Sequence, residues 1–186
     1  VATFRSGEAG LVGAVLFGKV IWYRTPVQVH TKNSDLAIVP VGTIEAHGAI
    51  PLGTDTIIPE ALADELAPHL NALIAPSIAY GVTNSLLPFP GSTTVSSATF
   101  TAYLFEAAAG LVDAGFRRIV LLNGHGGQTG EVAAVVARLW NEKRAYAVAV
   151  EWWGFAEELS AKIYPGTIGG HAGVESGAGR RRFRDA

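Results

Sequence analysis

Apolar residues fall along this chain in two rhythms. Unbroken runs, Leu36 to Val41 and Ile119 to Leu122, read as short strands buried on both faces. Tyr146 to Val150 reads as another strand, and Leu73 to Ile78 as a weaker one interrupted by Pro76. Pro40 has no N–H to give to a ladder, so the first run is expected to end there. Between the runs the spacing lengthens to that of helices. Pro59 to Ala67 is one, with Pro59 in the first turn, Leu62 and Leu66 on a shared face and Pro68 as the stop. Ser97 to Ala114 is the second, with Phe100, Leu104, Ala107 and Leu111 inward and Gly115 as its stop. Thr129 to Lys143 is the third, turning Val132, Val135, Val136 and Leu139 inward. Strands alternating with helices predict an α/β fold around a mostly parallel sheet, in a single domain.

Three stretches escape these rhythms. Residues 1–34 are poorly legible: Leu11 to Tyr23 is apolar but broken by Gly13, Gly18 and Lys19, too short and interrupted to span a membrane. Gly81 to Ser96 is a long connection, which reads equally as a functional loop, as such lengths often are in compact domains, and as a plain surface link. After Gly166 the chain is glycine-rich, and Arg180, Arg181, Arg182 and Arg184 crowd an atypical basic tail over 177–186, read as a solvated terminus.

Composition narrows the chemistry. The 186 residues carry a net charge of -2, which gives no reason to expect a nucleic acid or an acidic membrane as partner. Only 16% are charged, so part of the surface is expected to be covered by other copies. There is no cysteine, which excludes disulfides and thiolate sites and is compatible with a cytoplasmic setting. Any metal must be held by imidazole and carboxylate, a donor set that suits Zn, Mn or Fe.

Those donors cluster at strand ends. Glu45 and His47 follow the first run two residues apart, and in extended chain such a pair points to the same side. Asp55 returns after a turn carrying Pro51 and Gly53, and His125 arrives in Asn123-Gly124-His125-Gly126-Gly127 after another strand. In a parallel sheet these ends share one edge, so the four can converge on one or two divalent ions. Each has an ordinary reading too: His125 as a hydrogen-bonded structural residue, Asp55 as a helix cap, Glu45 as a solvated loop residue. The glycine-rich turn at His125 also resembles phosphate-binding loops in position, but it lacks the Lys and Ser/Thr of a P-loop. No Gly-x-Ser-x-Gly elbow is present. Trp152 and Trp153 are read first as packing residues.

VPVGTIEAHGAIPLGTD, LLNGHGG and GGHAGVES, taken together and in this order, resemble the creatininase (creatinine amidohydrolase) family, as does FPGST at residues 89–93. The resemblance covers residues 35–176. It implies a Rossmann-like α/β fold, frequent assembly as a homo-oligomer such as a hexamer, and hydrolysis of non-peptide amide bonds in small molecules by one or two divalent metal ions. By motif, Glu45, Asp55 and His125 resemble the ligands of one metal, and His47 a ligand of the second, with Asp55 bridging. His171 resembles the residue that handles protons near the substrate, Glu175 the acid that follows it, and Trp153 an aromatic that closes over substrate. The chain departs from the family pattern at Ala49-Ile50, where a second His usually stands. It departs again at Gly127, where creatininase proper carries a Glu. Two other readings follow from the same residues: an inactive or truncated family member serving as a structural subunit, and a nucleotide-binding α/β domain.

Overall fold

The computed structural model describes residues 34–163. Strands and helices alternate through them: β1 (Leu36–Val41), α1 (Thr54–His69), β2 (Leu73–Ile74), α2 (Ser97–Asp113), β3 (Arg118–Asn123), α3 (Thr129–Lys143), β4 (Tyr146–Glu151) and α4 (Trp152–Ile163). The sheet runs β2-β1-β3-β4 and every pairing is parallel.

β1 is central and buried along its whole length, which is why it reads as an unbroken apolar run. Its side chains alternate between two cores. Ala37, Val39 and Val41 meet Phe100 and Leu104 of α2 and Val132 and Leu139 of α3. Leu36 and Ile38 meet Ala63 and Ala67 of α1, together with Ile74 and Leu122. Helices therefore cover both faces, and each buried Leu, Ile or Phe contributes roughly 1.5–3 kcal/mol to holding them there. The chain steps from β1 out to β2 and then returns across β1 to β3. Strand order reverses between β1 and β3, and open α/β sheets bind ligands outside the carboxyl ends of strands at such a point.

Several expectations need correction. Pro40 lies inside β1, paired in register with Leu122, not at its end. Its carbonyl accepts from Ile78 N at 2.9 Å. The N and C=O of one strand residue face the same way, so the missing donor is also aimed at the β2 side. There β2 has already stopped at Ile74, and the parallel contact resumes only as a single bridge between Val41 and Ile78. No ladder bond is lost.

Helix α1 begins at Thr54, five residues before the expected start, with both Pro59 and Pro68 inside it. Pro59 cannot donate to the Asp55 carbonyl one turn back. That carbonyl instead lies against the backbones of Gly42 and Gly124. The buried face of α1 is Ile58, Ala63 and Ala67, with Leu62 half-buried, whereas Leu66 is exposed. Helix α4 was not expected: it starts at once after β4, on Trp152.

The long 81–96 connection folds back over the carboxyl edge of the sheet. Thr93 N donates to Ile44 O at 3.0 Å, and Ser92 Oγ accepts from Ala46 N at 2.9 Å. Ser96 then caps α2 through Thr99 N.

Candidate metal centre

Beyond β1 the chain runs on to residue 47 before it turns, bridged on the way from Ile44 to Thr93. A tight turn spans His47 to Ile50, closed by Ile50 N on His47 O at 3.3 Å, with Gly48 in the left-handed region at φ 62. Glu45 is pinned on one side by its own N–H to Leu52 O, 3.0 Å. Its neighbours 44 and 46 are pinned by Thr93 and Ser92, so the stretch cannot slip. With that backbone fixed, the odd-numbered residues Thr43, Glu45 and His47 are all buried. Asp55 joins them from the first turn of α1. That turn reaches the strand ends because Gly42 and Gly124 carry no Cβ: one on either would strike the Asp55 backbone.

The donors meet closely. Glu45, His47 and Asp55 each offer one ligand atom, all within 4.8 Å of one another, and all three residues are buried. His47 Nε2 is 2.9 Å from Asp55 Oδ1 and 3.9 Å from Glu45 Oε1. His125 Nδ1 is 3.0 Å from Asp55 Oδ2 and 3.3 Å from Glu45 Oε1. Asp55 thus divides its two oxygens between two imidazoles, while Glu45 faces both. Asp55 does not cap its helix, which has no side-chain cap.

Hydrogen bonds outside the cluster set how each donor is presented. His47 Nδ1 lies 3.0 Å from the Glu45 carbonyl, which can only accept, so that nitrogen carries a proton and Nε2 turns to the carboxylates. Thr43 Oγ1 donates to Asp55 Oδ2 at 2.6 Å. Burial opposes charge on Asp55, but hydrogen bonds from His125, His47 and Thr43 outweigh it and hold the carboxyl well below its usual value. Burial works against a charged His125 as well, yet its hydrogen bonds to Asp55 and Glu45 prevail and push it up to about 9. Bonds of this charge-assisted kind contribute about 1.5–3 kcal/mol each, enough for two or three to overcome partial burial.

The donor set fits a divalent cation of the zinc class. Atoms bound to such an ion at roughly 2.0–2.2 Å stand about 3.3–3.6 Å apart at tetrahedral angles and about 2.8–3.1 Å apart at right angles, so about 2.8–3.6 Å over both geometries. Three of the four N···O separations, at 2.9, 3.0 and 3.3 Å, fall in that range, and the fourth exceeds it slightly.

All four expected ligands, Glu45, His47, Asp55 and His125, are therefore brought to one place. Trp153 is half-buried, packs edge-on to Trp152 at 6.1 Å, and reaches to 3.9 Å from where a Cβ on Gly126 would lie, next to the His125 turn. His171 and Glu175 lie outside the described residues. Three participants were not anticipated. Thr43 could have been found by extending the two-residue spacing of Glu45 and His47 one step back. Asn123 and Gln128, which bond around the His125 turn, are neutral amides that no spacing rule singles out.

No described helix is long and apolar enough to cross a membrane. Residues 24–175 match the family model described as creatinine amidohydrolase. A 3-dehydro-scyllo-inosose hydrolase of Thermotoga maritima is 36% identical over 102 residues, 54% of this chain and 33% of that protein. A mycofactocin precursor peptide peptidase of Mycolicibacterium smegmatis is 34% identical over 137 residues, 70% of this chain and 55% of that protein. This chain thus spans about a third to a half of the length of these relatives. A solved mutant creatininase complexed with creatine superposes with a TM-score of 0.78 at 25% identity, covering 85% of this chain and 70% of its own. Another, of zinc–zinc type, gives 0.72 at 25%, covering 84% and 66%.

Proposed function

The chain belongs to the creatininase family, and from that premise we propose that it is a metal-dependent amidohydrolase cleaving a non-peptide C–N bond in a small amide, lactam or formamide. One observation carries the reading: Asp55 turns one oxygen to His47 and the other to His125, inside a buried group completed by Glu45. By that division Glu45, Asp55 and His125 would hold one cation and His47 would help to hold a second. A zinc–zinc form among the structurally similar creatininases supports it. Zn, Mn and Fe all accept these donors.

A cation held there would supply Lewis acidity, lowering the pKa of a water towards about 7 and polarising a substrate carbonyl. The chain's own residues do the rest. Thr43 and the Glu45 carbonyl fix the orientation of Asp55 and His47, so the donors need little rearrangement to bind. Trp153, beside the His125 turn, would shield a bound amide from water, a role that rests on its likeness to the family aromatic. His171 would pass a proton to the departing nitrogen and Glu175 would steady it, roles that rest on the likeness of GGHAGVES to the family motif.

Asp55→Ala is the test. It should lower zinc affinity at least about a hundredfold and abolish turnover of formamide and lactam substrates. Elemental analysis of protein purified without added metal reads the first effect. Equal metal content in the variant and the parent protein would overturn the assignment.

A further inference from the structure

Gln128 ends the short 3-10 turn after His125, and its side chain is fully buried beneath the strand ends. Its Oε1 accepts from Val82 N at 3.2 Å. Its Nε2 donates to Asn123 Oδ1 at 3.0 Å, with Gly42 O at 3.4 Å. Asn123 in turn grips the His125 backbone from both ends: Oδ1 accepts from His125 N at 3.2 Å and Nδ2 donates to His125 O at 2.9 Å. The pattern allows only one sense. Val82 N–H is a donor, so the Gln128 oxygen must face it and the nitrogen must face Asn123. The Asn123 oxygen must then lie inward, which leaves its amino group for the His125 carbonyl. Gly81 presses on the same amide, for a Cβ there would fall on Gln128 Oε1 and the Gly42 carbonyl.

We propose that Gln128 is a positioning residue: through Asn123 it sets the backbone of His125 and so the aim of that imidazole at Glu45 and Asp55. It ties the 81–83 loop, the end of β1 and the end of β3 into one polar knot. The proposal rests on the metal reading above and deepens it, since the knot governs how well His125 serves as a donor.

The informative variant is Gln128→Glu, equal in shape. It keeps an acceptor for Val82 N–H but sets an oxygen against Asn123 Oδ1. While that carboxyl is ionised Asn123 must flip, turning oxygen to the His125 carbonyl, so both readouts are taken at about pH 9.5, above the roughly 8–9 to which burial raises a carboxyl. Zinc affinity, measured by chelator competition, is expected to fall about 10–100-fold. The visible absorption of the cobalt-loaded protein, taken at saturating cobalt, should shift because the ligand field at His125 changes. Val132→Ala, a cavity in the core under α3, is the control: it should lower the melting temperature yet leave both readouts unchanged. Gln128→Asn keeps both amide groups on a shorter arm and should recover part of the affinity; it carries the test alone if Gln128→Glu does not fold. Zinc affinity within twofold of the parent with an unshifted cobalt spectrum overturns the proposal while the metal site stands. A parent protein that binds neither zinc nor cobalt overturns the metal reading and this one with it.

Discussion

Individual residues decide whether the site closes. Gly124 is the sharpest case. Its backbone is not in the left-handed region, so conformational freedom is not what requires glycine there. Space is: a Cβ would strike the Asp55 carbonyl and the Pro59 ring. Gly124→Ala is expected to cost about 3 kcal/mol, read by urea denaturation, and to weaken zinc binding with it, because Asp55 must retreat. The charged donors were legible because carboxylate and imidazole are uncommon at the apolar ends of strands, and the two-residue spacing of Glu45 and His47 gave them a common side. The amides Asn123 and Gln128 were not, because their role lies in the direction of hydrogen bonds among folded segments, which no local pattern encodes.

Among the elements, the amphipathic helices α2 and α3 were read to within a residue or two. Ser96 and Gly115 punctuate α2 as caps should, and Phe100, Leu104, Val132, Val135 and Leu139 are buried as the period selects; Ala107, Leu111 and Val136 are only half-buried, and Phe105, Ala108, Ala109 and Val112 take the remaining inward places on α2. Ser96→Ala removes the acceptor for Thr99 N and should destabilise the protein by about 1 kcal/mol in thermal or chemical unfolding, with metal binding unaffected. The start of helix α1 and the place of Pro40 within β1 were misread for one reason. Proline was taken as punctuation, but each proline here sits where its missing donor has nothing to meet. Pro40 faces the gap past the end of β2, and Pro59 frees the Asp55 carbonyl to pack on glycine. Tertiary packing overrides the local rule in both places. The early start of α1 matters for the site, since it is the added turn that brings Asp55 to the strand ends.

For the molecule as a whole, the cluster links stability to pH. Without metal, His125 has a folded pKa of about 9 against an unfolded 6.5. Its stabilising contribution is complete below pH 6.5 and disappears as pH rises through 9. Asp55 works in the opposite sense: its lowered pKa stabilises above the unfolded value of 3.8 and that contribution is lost in acid. A cation must displace the His125 proton, so it gains where the metal-free protein loses. The difference in melting temperature between zinc-loaded and chelator-treated protein should therefore widen from pH 6.5 to 9, as measured by calorimetry. A constant gap would show that His125 gives up no proton on binding.

The reversal of strand order between β1 and β3 also governs timing. Glu45 and Asp55 are made well before His125, and nothing local draws them to it. They become neighbours only once the crossover through α2 has laid β3 beside β1, a long-range pairing of the slow kind. An ion that needs all of them is thus a late arrival, a latch fastened on a nearly finished chain, and its influence falls on how slowly the native state comes apart.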